Sequence, residues 1–283
     1  MGIKQAVRPY SQGQAIIDSG KLIMIYCRRC RCITCGYILS MKKTFIIILF
    51  LFLLTGCAGK EPPFDAVATF REAEESMHKE AFEDARKKYQ EIQEKSPDKS
   101  YDAVLMLRVA DTYYGEEKYS EALVEYQAFL NYHPVNKDAA YAQYQIAMCY
   151  YNELTTIDRD PTPARAVVKE MRRLLEKYPR SGYEEQARKY IAICLDRLAD
   201  YELYVARFYF KKGAYESAVG RCEKLLKDYP GSSAEKEALQ TAGLSYMKLG
   251  DKVRARARFE TLAEKYPAMR EAALALIQKL QTP

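Results

Sequence analysis

The feature that most constrains this chain is a spacing that recurs four times. In each case a proline lies twelve residues after an alanine, and the pairs are Ala85 and Pro97, Ala122 and Pro134, Ala218 and Pro230, and Ala255 and Pro267. Apolar side chains follow each alanine at offsets of four and seven, which lie on one face of a helix. A small residue also stands twelve positions before each alanine. The pattern predicts four pairs of closely packed helices.

A fifth unit carries two insertions. Pro179 follows Val167 by twelve residues, but the small residue of its first helix, Ala147, lies twenty residues before Val167. The inserted stretch at 155–163 contains two prolines and no apolar period, which predicts a loop between the two helices. After Pro179 the next small residue comes 14 positions later than in the other units, which is close to four helical turns. We therefore predict one continuous helix over about 184–211.

These helix pairs resemble the tetratricopeptide repeat (TPR), a helix–turn–helix unit of about 34 residues whose small residues let paired helices approach closely. We predict an all-α superhelical solenoid of about five units. Residues 66–183 form a predicted N-terminal block of three units, and residues 184–283 form the long helix and a block of two units. Gly213 and Gly250 fall at turns between paired helices, where a left-handed conformation is needed.

Two predicted helix starts carry the pattern of a capping box. In a capping box, a serine and a glutamate three residues later satisfy each other's exposed backbone amides. The first pattern runs from Ser181 to Glu184 and the second from Ser232 to Glu235. We predict that both serines cap the helices that follow them.

The basic character of the chain is confined to its first part. The chain has a net charge of +6, but residues 1–56 carry eight basic side chains and one acidic side chain, which leaves residues 57–283 with a net charge of −1. Because nucleic-acid binding requires a basic patch, we do not expect the body of the chain to bind DNA or RNA.

Residues 41–56 have the pattern of a signal peptide. Met41 is followed by two lysines and an unbroken apolar run at 45–54, which is too short to span a bilayer and typical of a signal-peptide core. The run closes on Leu54, Thr55, Gly56 and Cys57. This tetrapeptide resembles a bacterial lipobox, in which the cysteine is acylated and the chain is cut before it. We predict a lipid on Cys57, with 57–65 as the linker; the alternative is an exported protein with a chance cysteine.

Residues 1–40 are interpreted as an extension that the mature protein lacks. If translation starts at Met41 they are never made, and if it starts at Met1 they are removed with the signal. The alternative is a metal site, because four cysteines have the spacing of a metal knuckle. These cysteines are Cys27, Cys30, Cys32 and Cys35.

The body of the chain carries no catalytic motif. It has no serine-nucleophile elbow, no phosphate-binding glycine loop and no paired-histidine zinc motif. We therefore expect a protein that is not an enzyme and that binds no metal or cofactor besides the lipid. Cys149, Cys194 and Cys222 stand among apolar neighbours and are predicted to be small core residues. Asp158 and Asp160 are interpreted as solvating the inserted loop.

The first helices of the units are predicted to line the concave side of the solenoid. In the usual repeat geometry, four positions of each first helix project there. In the first three units these are Val67, Phe70, Glu74 and Met77; Val104, Leu107, Asp111 and Tyr114; and Tyr141, Tyr144, Met148 and Tyr151. Aromatic and methionine side chains beside two acids favour an adaptable peptide groove. The alternative is that some of these tyrosines pack between units.

Three features of the sequence resemble the BamD (YfiO) family. They are the lipobox, the five units, and the stretch 205–215, which is followed by Ala218 and by Tyr229 and Pro230. This family provides the lipoprotein subunit of the outer-membrane β-barrel assembly machinery. The resemblance implies a solenoid on the periplasmic face of the outer membrane. Its N-terminal units would receive the C-terminal segments of unfolded outer-membrane proteins.

The same resemblance implies that the C-terminal units bind a periplasmic domain of the barrel-forming subunit. Arg221 and Arg207 are the positions expected to make that contact. Accessory lipoproteins, found in some lineages, are further expected partners. The alternative function is that of another envelope TPR lipoprotein, which coordinates cell-wall synthesis or polysaccharide export.

Overall fold

The computed structural model describes residues 64–281, and within this range it contains α-helices and two short 3₁₀ turns but no strand. The helices are α1 (Ala66–His78), α2 (Phe82–Lys95), α3 (Asp102–Gly115), α4 (Tyr119–Tyr132), α5 (Ala139–Asn152), α6 (Thr162–Lys177), α7 (Glu184–Lys211), α8 (Tyr215–Asp228), α9 (Glu235–Lys248), α10 (Lys252–Lys265) and α11 (Arg270–Lys279). Each helix packs on the next along the chain, so α1 to α10 form five consecutive pairs. The predicted all-α repeat fold is confirmed for the described residues.

The small residues that define the spacing lie where paired helices touch. None of these alanines is exposed to solvent: Ala73, Ala85, Ala110, Ala122, Ala147, Ala206, Ala218 and Ala255. In the last pair the position is held by Gly243, where an added Cβ atom would lie 2.4 Å from the ring of Phe259. Contacts this close leave no room for a larger side chain. The regular recurrence of small residues in the sequence therefore marks the positions where paired helices touch.

The turns inside the pairs are left-handed, as predicted at two of them. Gly213 and Gly250 have φ angles of 76° and 79°. In the first two pairs the same place is taken by Glu80 and Glu117, with φ angles of 58° and 59°. These two left-handed residues were not predicted, because glutamate is not typical of a left-handed position.

The long helix α7 is continuous over 28 residues, as predicted. It buries two stripes of small and apolar side chains. Ala187, Cys194 and Leu198 pack with α5 and α6, whereas Ala199, Leu203 and Ala206 pack with α8 and α9. One helix is therefore shared by the third and fourth pairs.

The inserted loop is present, but it begins and ends two residues earlier than predicted. It lies between Asn152 and Thr162, so Thr162 and Pro163 belong to α6. Proline is accepted in the first turn because its missing N–H would have had no partner in the helix there. Asp160 accepts hydrogen bonds from the backbone N–H (2.9 Å) and the hydroxyl (2.6 Å) of Thr162. This carboxylate therefore orders the start of α6 besides solvating the loop.

The two predicted capping boxes are wrong in their serine halves. The hydroxyl groups of Ser181 and Ser232 are buried without a hydrogen-bond partner. The helices begin at Glu184 and Glu235, which places each serine outside the N-cap position. The glutamates instead accept hydrogen bonds from the backbone N–H groups four residues earlier, those of Arg180 and Gly231.

The C-terminal block contains one helix that the repeat pattern did not predict. After the fifth pair, a 3₁₀ turn at Pro267–Met269 leads into α11, which packs on α10. Ala273 and Leu280 are buried in the same cluster as Phe259 and Leu262 of α10. The block therefore consists of two units and an additional helix.

Replacing Ala218 by leucine should lower the free energy of unfolding by about 1–3 kcal/mol, because the larger side chain overpacks the contact between α7 and α8. Urea denaturation would measure the change. Lys227→Ala, at an exposed position of the same helix, is the control and should change stability much less. Equal stability of Ala218→Leu and wild type would contradict the helix register.

Replacing Glu117 by glycine should raise the free energy of unfolding by about 0.5–1 kcal/mol, because glycine removes the steric cost of the left-handed turn. Gln90→Gly, at an exposed position inside α2, should have the opposite effect and lower it by about 1 kcal/mol. Thermal unfolding of both variants tests the assignment. A destabilised Glu117→Gly variant would refute the strain at this turn.

Candidate functional site

The predicted groove residues lie on α1, α3 and α5, and Asp111 connects several of the surrounding helices. Its carboxylate accepts hydrogen bonds from the hydroxyls of Tyr126 (2.6 Å) and Tyr141 (2.7 Å). Tyr126 belongs to α4 and Tyr141 to α5, so one acid on α3 joins three helices. Burial raises the pKa of Asp111, although the two hydroxyls and Arg108 act in the opposite direction.

Arg108 links this acid to the first unit. Its guanidinium forms ion pairs with Glu74 on α1 (2.9 Å) and with Asp111 (3.4 Å). Glu74 also accepts a hydrogen bond of 2.7 Å from the hydroxyl of Tyr89 on α2. Both predicted acids therefore belong to one network. Arg108 was not predicted as a member, because its position is not one of the four that the usual repeat geometry assigns to the groove.

A tyrosine cluster forms where α5 meets the start of α7. It consists of Tyr144, Tyr151, Tyr183 and Tyr190. The rings of Tyr144 and Tyr183 are stacked with their centres 5.0 Å apart, and Tyr151 meets Tyr190 edge to face at 4.7 Å. Tyr183 and Tyr190 were missed because the repeat pattern treats this part of α7 as an insertion. These tyrosines pack between units and remain half-buried.

The other predicted groove residues differ in accessibility. Leu107 is buried in the core beside Tyr126 and Phe129, so packing accounts for it. Tyr114 is half-buried, and its hydroxyl accepts a hydrogen bond of 2.8 Å from the side-chain amide of Asn152. The remaining members divide into the half-buried Phe70, Met77 and Val104, the buried Met148 and the exposed Val67.

In the second half of the chain, the predicted contact Arg221 lies over a buried carboxylate. Its Nη1 is 3.0 Å from the Oε2 atom of Glu202, which also pairs with Lys224. The Glu202 side chain is only 1% exposed, so it requires this compensation by positive charge. The Arg221 side chain is still 38% exposed. It therefore has a structural partner and also an accessible face.

Arg207 forms a bidentate ion pair with Glu237 on α9, so it joins the fourth and fifth units. Another pair across the same units connects Arg258 on α10 with Glu223 on α8. Tyr246 also donates a hydrogen bond of 3.2 Å to Glu223. The C-terminal block is therefore held together by charged pairs in addition to its apolar core.

The three cysteines of the body are core residues, as predicted. Cys149, Cys194 and Cys222 are free thiols without solvent exposure. Burial raises the pKa of Cys149 and Cys222 to about 12 and that of Cys194 to about 11. Since the thiolate is the reactive form, these cysteines are poor nucleophiles.

Several predictions fall outside the described residues, and they include the lipobox at 54–57 and the cysteine knuckle at 27–35. Among residues 64–281, no group of three or more His, Cys, Asp or Glu side chains is placed to hold a metal ion. None of the helices in this range combines the length and the hydropathy that crossing a membrane requires.

Several curated relatives of this chain have the description "Outer membrane protein assembly factor BamD". The protein from Vibrio cholerae is 37% identical over 93 residues, which cover 33% of this chain and 39% of the relative. The one from Neisseria meningitidis serogroup A is 34% identical over 93 residues, which cover 33% of this chain and 35% of the relative. The one from Xylella fastidiosa is 30% identical over 112 residues, which cover 38% of each. The chain spans less than two fifths of the length of each of these relatives.

Two of the solved structures to which this chain is similar are described as TPR proteins. The TPR2AB-domain:pHSP90 complex of yeast Sti1 has a TM-score of 0.40 at 14% identity and covers 76% of this chain and 83% of its own. YrrB, a TPR protein with an unusual peptide-binding site, has a TM-score of 0.34 at 17% identity. The match covers 75% of this chain and 91% of YrrB. At scores this low, the repeat assignment depends on the helix pairs themselves.

The family-level match extends much further along the chain than the alignments to individual relatives. The YfiO family, described as "Outer membrane lipoprotein", matches residues 64–262. This range begins just before α1 and ends inside α10, so it contains the Asp111 network, the tyrosine cluster and the ion pairs of the C-terminal block. The chain therefore belongs to the YfiO family of outer membrane lipoproteins.

Proposed function

We propose that this protein is a scaffold of outer-membrane protein assembly. It holds unfolded outer-membrane proteins on its N-terminal units and binds the barrel-forming subunit through its C-terminal units. The observation that carries the proposal is the presence of two chemically different surfaces on one helical stack, joined by α7. The shared description of the relatives as outer membrane protein assembly factors supports it.

The N-terminal surface suits a substrate that ends in an aromatic residue. The tyrosine cluster offers ring faces and edges, which favour aromatic partners in offset or edge-to-face contacts. Its members are half-buried, so a ligand ring gains contact without the protein having to expose its core. Met77 and Phe70 on α1 are further half-buried apolar side chains, and methionine adapts to different side chains.

The C-terminal surface suits an acidic partner. Arg221 and Arg207 are held in place by Glu202 and Glu237, yet both side chains remain partly exposed. An arginine that is already ordered loses little conformational freedom when it binds a second carboxylate. A periplasmic domain of the barrel-forming subunit with surface acids would meet these requirements, and accessory lipoproteins would add to the complex.

The anchor is proposed to be a lipid on Cys57. The tetrapeptide Leu54, Thr55, Gly56 and Cys57 has the residues of a lipobox, and the family is described as an outer membrane lipoprotein. Alanine at position 58 fits retention at the outer membrane rather than the inner one. Three acyl chains exceed the two signals that stable anchoring requires. The scaffold would then lie on the periplasmic face, where it acts by binding rather than by catalysis.

Cys57→Ala should abolish acylation, because no other residue of the lipobox offers a thiol. Cells grown with an alkyne-labelled palmitate would report the modification on the purified protein. Cys149→Ala is the matched control and should keep the label, since Cys149 is a buried core residue. A label that persists in Cys57→Ala would rule out the proposed anchor.

The two surfaces should be separable by mutation. Tyr144→Ala combined with Tyr151→Ala should weaken binding of a ten-residue peptide ending in phenylalanine by about tenfold, because two ring contacts are lost. Arg221→Gln should leave peptide binding unchanged and weaken binding of the partner's periplasmic domain. Glutamine is preferred to glutamate at this position because Lys224 still compensates Glu202 and the fold is kept.

Calorimetric titration of each variant with each ligand gives the four affinities. A peptide ending in alanine serves as the control ligand for the aromatic contact. If both variants lose both ligands to the same extent, the two-surface proposal fails.

A further inference from the structure

The first helices of the second, third and fifth units contact the preceding unit through three shared positions. These lie five residues and one residue before the small residue of the helix, and two residues after it. At these positions α3, α5 and α9 form apolar clusters with α2, α4 and α8, respectively. All nine side chains are at most 4% exposed: Leu105, Val109 and Thr112; Ala142, Ile146 and Cys149; and Ala238, Ala242 and Ser245. They define the face of a first helix that the preceding second helix covers.

The register of the long helix α7 is fixed at two points. Its small residue, Ala206, is followed after seven positions by the left-handed Gly213. In α1, α3 and α9 the left-handed residue of the turn also follows the small residue by seven positions. In α7, the three positions that a preceding second helix would cover therefore hold Tyr201, Val205 and Phe208.

These three side chains of α7 are open to solvent. Phe208 is 52% exposed, and Tyr201 and Val205 are half-buried. Tyr204, which projects to the same side one helical turn before Phe208, is 46% exposed. We refer to Tyr201, Tyr204, Val205 and Phe208 as the open face of α7. It is the face that is buried in α3, α5 and α9.

The surplus of 14 residues in α7 accounts for the open face. The contact with the preceding second helix, α6, is made by the residues 14 positions earlier, which are Ala187, Ile191 and Cys194. The contact with α8 is made further along the helix, by residues such as Ala206. In α3, α5 and α9 the two contacts fall within the same turns, whereas in α7 they are separated by about four turns. The open face therefore lies beyond the reach of α6.

The composition of the open face differs from that of an equivalent face in contact with water. Within residues 64–281 no helix precedes α1, and its three equivalent positions hold Ala68, Glu72 and Glu75. Both glutamates are exposed. In a repeat stack an uncovered face needs polar side chains for solubility, whereas contiguous exposed apolar side chains mark an interaction site. The open face of α7 has the composition of a covered surface.

Charge indicates which kind of helix fits the open face. In the second unit Glu116, the residue before the left-handed turn, accepts hydrogen bonds of 2.9 and 3.1 Å from Arg86 of α2. In α7 the equivalent place is held by Lys212, so the charge is reversed. A second cation, Arg197, lies one helical turn before Tyr201. A helix that docks here as α2 docks on α3 should therefore carry an acid where α2 carries Arg86.

We propose that the open face of α7 is the docking site of an acidic amphipathic helix from a partner protein. The partner helix lies against the second half of α7 as α2 lies against α3. Its apolar stripe covers Val205 and Phe208, and an acidic side chain in the place of Arg86 pairs with Lys212. The docking site does not depend on the function proposed above, because it follows from the register of α7 and from the contacts of the other first helices.

The probe is a peptide with the sequence of residues 83–96, which form most of α2, and with Arg86→Glu. Phe82 is left out because its ring lies 2.4 Å from where a Cβ atom of Gly115 would be, and Lys211 takes the place of Gly115 in α7. A side-chain staple on the solvent side of the peptide is needed, because an isolated helix of this length is marginal in water.

The full chain in mild detergent should bind this peptide. Phe208→Glu should weaken binding about tenfold or more, because it places a charge in the apolar contact. Lys212→Glu should also weaken it, and a peptide that keeps Arg86 should bind the Lys212→Glu protein in preference to wild type. Lys189→Glu, an exposed position in the first half of the same helix, is the matched control and should bind like wild type. Unchanged melting temperatures show that each variant is folded.

Fluorescence anisotropy of the labelled peptide gives the affinities. Absence of binding to the full chain overturns the proposal, as does binding that Phe208→Glu leaves unchanged. Failure of the charge exchange between position 212 and the peptide overturns the assigned register. Sedimentation of the full chain is run alongside. A dimer that Phe208→Glu dissolves would assign the open face to a second copy of this chain and would overturn a partner of another kind.

Discussion

The close approach of paired helices at small residues is the constraint on which the rest of the structure depends. At Gly243 even a methyl group would collide with the ring of Phe259, and the alanines at the equivalent positions have no solvent exposure. This contact fixes how far apart the helices stand and how they rotate about their axes. Every surface described above follows from it, because the rotation decides which side chains face outward.

The two halves of the stack are joined by different chemistry. Between the first three units, tyrosine hydroxyls and Arg108 converge on the carboxylates of Glu74 and Asp111. Between the fourth and fifth units, arginines bind glutamates directly, as Arg258 binds Glu223. Of the tyrosines in this network, Tyr89 and Tyr126 are buried and Tyr141 is half-buried, whereas the side chains of Arg207 and Arg221 remain partly exposed. The charged contacts between the fourth and fifth units are therefore more accessible than the hydroxyl contacts of the first three units.

Features that depend on period could be predicted from the sequence, and features that depend on contact across units could not. The 14 surplus residues before Ala206 predicted the continuous helix α7, and the spacing predicted which alanines are buried. Tyr183 and Tyr190 were missed because they lie outside the repeating positions. The prediction that two serines cap helices was wrong because a capping pattern does not specify the residue at which the helix begins. The helix α11 was not predicted because no alanine–proline pair with the repeat spacing marks it.

The shared helix α7 also affects how the protein unfolds. In a repeat protein, stability is close to a sum of terms for each unit and for each interface between neighbours, so a stack can open at its weakest boundary. A connection by a loop allows such a boundary, whereas α7 carries unbroken backbone hydrogen bonds from the third unit into the fourth. Opening the stack there would require the helix itself to break. We therefore expect the middle of the stack to unfold as one cooperative block, with fraying at its two ends.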